Sequence, residues 1–169
     1  IKTKELGDLQ HVKCDFKFFF GFDEQHRLFN KDLGGGSLLD IGIYPVFTAL
    51  MTLGIPDEIS INAELGKTGV DENLEMLFKY NNGNSANLAS GFKCNAFNDS
   101  EFYFTNGAIR ISRELNRPLL INRKGNLEEM YFDYKGLGYE NEAVHVMQCL
   151  DSNLIESPML PLSFSLDLI

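Results

Sequence analysis

Three turn signals between residues 81 and 126 constrain the fold most. Asn81-Asn82-Gly83-Asn84, Asn106-Gly107 and Lys124-Gly125-Asn126 each stand between two segments with alternating apolar residues. Asn-Gly in such a place marks a hairpin, because its residues tolerate the positive φ of a tight turn. The flanks read as strands: 73–80 with 85–93, 101–105 with 108–112, and 118–123 with 127–134. Consecutive hairpins require antiparallel pairing.

Residues 1–7 read as a helix tail closed by Gly7, and 9–22 as a long strand through Leu9, Val12, Cys14, Phe16, Phe18 and Phe20. A helix is expected over 38–53, stopped by Gly54 with Pro56 beyond it. A strand follows at 57–65. A last helix is expected over 139–152, with Tyr139, Ala143, Val146, Met147 and Leu150 on its apolar face. Strands grouped together, with helices laid on one face, define an α+β fold: a large open, predominantly antiparallel sheet. Two or three helices cover only one face of such a sheet. The other face is expected to expose apolar area and to meet a second copy of the chain.

A length of 169 residues suits one domain, 1–169, with a core of its own. The net charge of -9 excludes a nucleic-acid partner, which needs clustered Lys and Arg. No uninterrupted apolar run reaches the ~18 residues of a membrane span, so no membrane partner is expected. Cys14, Cys94 and Cys149 are too scattered for a disulfide framework or a zinc site and read as reduced thiols of a cytoplasmic protein. His11, His26 and His145 suggest no metal. The start at Ile1 and the apolar stretch after Ser165, which reads as a helix beginning, suggest a piece of a longer polypeptide.

Chemistry concentrates in Gly34-Gly35-Gly36-Ser37-Leu38-Leu39-Asp40-Ile41-Gly42-Ile43-Tyr44-Pro45. Asp40 and Tyr44 stand four residues apart and share a helix face. They are either a buried hydrogen-bonded pair or part of an active site. A phenol donates a proton readily at neutral pH, whereas as a base it needs a nearby cation, usually Lys. Pro45 inside the helix removes a backbone bond beside Tyr44. The three glycines follow a polar loop rather than a strand and lack the G-x-G-x-x-G spacing, so they do not read as a phosphate cradle. Arg27, in the preceding loop, and Tyr139, at the start of the last helix, are weaker candidates for the same cleft.

These twelve residues resemble the central motif of the Gfo/Idh/MocA oxidoreductases. Three more segments resemble that family in order: Gly69-Val70-Asp71-Glu72, then Phe104-Thr105-Asn106-Gly107-Ala108-Ile109-Arg110-Ile111, then Gly138-Tyr139-Glu140 through Cys149-Leu150 and Glu156-Ser157-Pro158. The resemblance is to the C-terminal domain of a two-domain dehydrogenase. The Rossmann domain that binds NAD(P), and its Glu-Lys-Pro segment with the catalytic Lys, have no counterpart here. The resemblance implies that Tyr44 is the acid/base and that Asp40 binds substrate, with Arg27 and Tyr139 as further substrate contacts. It implies a sugar, polyol or diol substrate, NAD(P) held mainly by the other domain, and a homodimer or homotetramer formed through the open sheet face. The chain alone would then be inactive. The competing expectation is a non-catalytic sugar-binding or structural dimerisation module of the same fold.

Overall fold

A computed structural model describes residues 5–114, 116–132 and 138–169. The expected helix tail at 1–7 lies largely outside them. Strands β1 (Leu9–Lys17), β2 (Glu58–Leu65), β3 (Asp71–Lys79), β4 (Ser85–Gly91), β5 (Ser100–Phe104), β6 (Gly107–Ile111), β7 (Leu119–Arg123) and β8 (Asn126–Met130) form one eight-stranded sheet. Its order is β2-β3-β4-β1-β5-β6-β7-β8. Only β1 and β4 run parallel; every other neighbouring pair is antiparallel. All three hairpins are present. The β7–β8 turn has positive φ at Lys124 (52°) and Gly125 (92°), the primed-turn geometry that suits the twist of two adjoining strands.

Alternation along the strands sorts the residues. Leu74, Met76 and Phe78 of β3 face the same side as Ala86 and Leu88 of β4 and Val12 and Cys14 of β1. Helix α1 (Ile43–Leu53) covers that side and adds Ala49 to the core. Strand β1 ends earlier than the expected limit of 22. Beyond it, Phe18 and Phe20 still donate to the carbonyls of Gly91 and Phe92, at 3.1 and 2.9 Å. The N–H groups of Lys17 and Phe19 donate instead to the side-chain oxygens of Asn98 and Asn95. Asparagine side chains thus replace β5 as partner, and the strand is lost. The phenylalanines pack into a second cluster with Leu28, Phe29, Ile41 and Phe92.

The open face differs in part from expectation. It is polar around Lys13, Asp15, Lys17, Ser60, Asn62, Glu75 and Asn87, which line a shallow cavity of about 530 Å³. The physical reason is the two-residue period: once Leu74, Met76 and Phe78 turn toward α1, Glu75, Leu77 and Lys79 face away. Toward β8 the same face turns apolar, with Tyr103, Ala108, Leu120 and Leu127 together, and further apolar side chains are exposed away from the sheet. Helix α2 (Tyr139–Asp151) has no buried residue, and the stripe of Tyr139, Val146, Met147 and Leu150 is exposed. Helix α3 (Leu162–Leu168) begins ahead of Ser165 and packs Phe164 against Phe47 of α1, ring centroids 5.5 Å apart. The helical turns from Lys31 to Leu53 are together long and apolar enough to cross a membrane, which the count of uninterrupted apolar residues did not suggest. Ser37, Ile41, Gly42, Pro45, Ala49 and Leu50 of that stretch are buried within this fold.

Candidate functional site

The approach to α1 is a bonded turn rather than a loose glycine loop. Gly35 donates to the Asn30 carbonyl and Gly36 to that of Leu28, each at 2.9 Å. A Cβ on Gly35 would lie 2.7 Å from three carbonyl oxygens, those of Arg27, Leu28 and Asn30. A Cβ on Gly36, where φ is +114°, would strike the Asp71 carboxylate. These glycines therefore let the chain fold onto itself and admit Asp71. Carbonyl oxygens surround Gly35, and they repel phosphate.

Asp71, the first residue of β3, holds the start of the helix. Its Oδ2 accepts from the Leu38 N–H and from the Ser37 hydroxyl, both at 2.7 Å. Ser37 and Ser90 hydroxyls are 3.0 Å apart and fully buried. The single Ser37 proton goes to Asp71, so Ser90 is the donor between them. A carboxylate from another strand thus serves as the cap that the helix's own residues do not provide.

The first turn after this cap, Leu38–Gly42, is π-helical, and α1 continues from Ile43. Pro45 has no N–H to close an ordinary turn, and the widened turn lies immediately before it. Asp40 lies in the π-turn and Tyr44 in the first turn of α1. They are not hydrogen-bonded to each other, and neither is sealed in the core. Asp40 pairs with Arg27 and keeps 18% of its side chain exposed. Its second carboxylate oxygen has no partner among the described residues. Tyr44 is 50% exposed. Its ring meets Phe16 edge to face, centroids 5.6 Å apart. The Arg113 guanidinium lies over both rings.

Of the four sequence candidates, Arg27, Asp40 and Tyr44 stand around one helix end. Tyr139 is 73% exposed at the start of α2, and no hydrogen bond or ring contact joins it to the other three. Three neighbours were missed: Asp71, Phe16 and Arg113. The placing of Asp71 and Arg113 depends on strand pairing, and the only sequence signal for Phe16 was its inward place on β1. Among the described residues no three His, Cys, Asp or Glu side chains cluster as metal ligands.

An ionisable carboxylate beside an exposed phenol, on a surface partly aromatic, is suited to hold and deprotonate or protonate a hydroxyl compound. Comparison with known proteins identifies the family. Residues 1–110 match the GFO/IDH/MocA C-terminal domain. The chain is 30% identical over 177 residues to trans-1,2-dihydrobenzene-1,2-diol dehydrogenase of Xenopus tropicalis, covering 98% of this chain and 52% of that protein. It is 31% identical over 173 residues to the enzyme of that name from Homo sapiens, covering 95% and 50%. The fold matches aldose-aldose oxidoreductase from Caulobacter crescentus, solved with glycerol, with a TM-score of 0.84 at 20% identity over 99% of this chain and 52% of that one. It also matches a 3-ketoreductase from Actinomadura kijaniata, solved with NADP and TDP-benzene, with a TM-score of 0.80 at 21% identity over 99% and 53%. The chain spans about half the length of the relatives it matches. With the sheet, the capped helix and these matches in agreement, the chain belongs to the Gfo/Idh/MocA family and carries that family's C-terminal domain.

Proposed function

We propose that this chain is the substrate-binding and oligomerisation domain of an NAD(P)-dependent oxidoreductase acting on the CH–OH group of a sugar, polyol or diol. The observation that carries this reading is the placement of Asp40 and Tyr44: adjacent, solvent-accessible and anchored at the end of one capped helix. NAD(P), when bound, supplies or accepts the hydride. The glycines here do not suit its pyrophosphate, because carbonyl oxygens and the Asp71 carboxylate crowd them. The residues of this chain therefore handle the substrate and the proton.

In carbonyl reduction the Tyr44 hydroxyl donates its proton to the oxygen that becomes the alcohol. In alcohol oxidation the proton passes the other way, to the phenolate oxygen. Asp40, its charge matched by Arg27, accepts a hydrogen bond from a substrate hydroxyl through its open oxygen and fixes the carbinol beside Tyr44. Arg27 thus acts by holding Asp40, and Tyr139 is a substrate contact supplied by α2. The Lys that favours phenolate comes from the cofactor domain. Copies of the chain pair through the open sheet face, where Tyr103, Leu120 and Leu127 turn outward. Free thiols at Cys14, Cys94 and Cys149 accord with a cytoplasmic setting.

Joined to its cofactor domain, the protein with Tyr44→Phe should lose turnover by roughly 10²–10⁴-fold. Because Tyr44 is half exposed, the thermal midpoint should hardly move. Unaltered turnover would remove the phenol from the chemistry.

A further inference from the structure

The segment joining β6 to β7 brings Arg113 to the Tyr44 end of α1. The guanidinium carbon lies 3.5 Å from the Phe16 ring centroid and 4.7 Å from that of Tyr44. The shorter distance is a cation–π contact, and no hydrogen bond among the described residues engages the guanidinium N–H groups. Phe16 is packed against the aromatic cluster below it, so the cation rests on an anchored platform rather than waving in solvent.

The charge environment sharpens the point. The chain has 24 acids against 15 bases, so a guanidinium seldom lacks a carboxylate nearby. Arg27 pairs with Asp40, Arg110 with Asp99, Arg117 with Glu114, and Arg123 with Glu5 and Glu128. Among the described residues, no hydrogen bond or ion pair joins Arg113 to any carboxylate. Even the adjacent Glu114 turns to Arg117. At the candidate site the Asp40 charge is already met by Arg27. The positive charge of Arg113 is uncompensated, held by two rings, and beside the phenol that meets the substrate.

We propose that Arg113 recognises an oxyanion on the substrate, a carboxylate or a phosphate, carried close to the reacting carbinol, so that the site takes acidic sugars or diols in preference to neutral ones. This rests on the reading of Asp40 and Tyr44 as the substrate site. The planar fork of the guanidinium meets either oxyanion with two parallel N–H bonds.

Calorimetric titration of this chain with D-glucuronate, D-glucose 6-phosphate and D-glucose tests it at low ionic strength. One of the two anions should bind roughly tenfold more tightly than glucose; which one does so assigns carboxylate or phosphate. Arg113→Gln should abolish the preference, leaving the two anions and glucose with affinities alike. Arg113→Lys should restore it only in part, because the charge returns without the fork and the stacking surface. An equal affinity for all three sugars, or a preference that survives Arg113→Gln, overturns the assignment of Arg113. If glucose binding still weakens with Asp40→Asn, the site reading stands without it. If no sugar binds, or binding ignores Asp40→Asn, the site reading falls and this inference with it.

Discussion

Asp71 does for the helix what no residue beside it can. Its carboxylate accepts from Ser37 and Leu38 across the gap between β3 and the π-turn. Asp71→Ala should cost about 1–3 kcal/mol in urea denaturation, the range for losing a cap and leaving its buried donors unmet. Asp71→Asn, which keeps an acceptor, should recover part of it; an Ala variant as stable as the parent would show that the cap is dispensable. Thiol chemistry checks the core at the same scale. Burial pushes the Cys14 thiol up, partly offset by its hydrogen bond from or to Ser100, and its thiolate is scarce. A disulfide reagent should modify exposed Cys94 at once and Cys14 only as the protein unfolds. Asp40 and Tyr44 were legible as a pair because their spacing is local. Asp71 and Arg113 were not, because each reaches the site from a strand or loop distant in sequence, and only the sheet order brings them in.

At the scale of elements, the turn residues and apolar alternation located all eight strands, and the glycine and proline exits located α1. Ends were less legible. Strand β1 stops where Asn95 and Asn98 take its N–H groups, an exchange that no apolar pattern announces. The π-turn was foreshadowed only by Pro45. A Cβ on Gly42 would lie 2.9 Å from the Ser90 hydroxyl oxygen and 3.3 Å from the Ser37 carbonyl oxygen. Gly42→Ala should therefore destabilise the fold by about 1–3 kcal/mol in thermal or urea unfolding. In a Ser90→Ala background, which removes the nearer atom, the cost should shrink by about half; an undiminished cost would place the strain elsewhere. Helix α2 shows the limit of periodicity. Its apolar stripe is present as the spacing predicts, yet it lies exposed, since pattern records what a surface needs and not what meets it. In hydrogen exchange, α2 amides should exchange well before those of β1, β3 and β4. Equal protection would mean that α2 is held by contacts the structure does not show.

Over the whole molecule, the sheet divides the labour. One face is apolar and carries the capped helix with Asp40 and Tyr44; the other is polar around β1 and β3, apolar toward β8, and faces away from them. The apolar open face expected from the helix count is present toward β8, where Tyr103, Leu120 and Leu127 turn outward, whereas around β1 and β3 that face is mostly polar. Pairing of copies through the open face then draws on Tyr103, Leu120 and Leu127. Sedimentation should show an assembly of more than one chain that Leu127→Glu dissociates; a monomer at every concentration would leave this face without a partner copy. The shallow cavity described above lies on the open face, yet the chemistry is assigned to the helix end. Titration of the ¹⁵N-labelled chain with a neutral polyol, read residue by residue by nuclear magnetic resonance, separates the two. Amide shifts should cluster on residues 36–44 and around Phe16 and Arg113. Shifts gathered instead on Lys13, Asn62 and Glu75, or none at residues 36–44, would contradict the account.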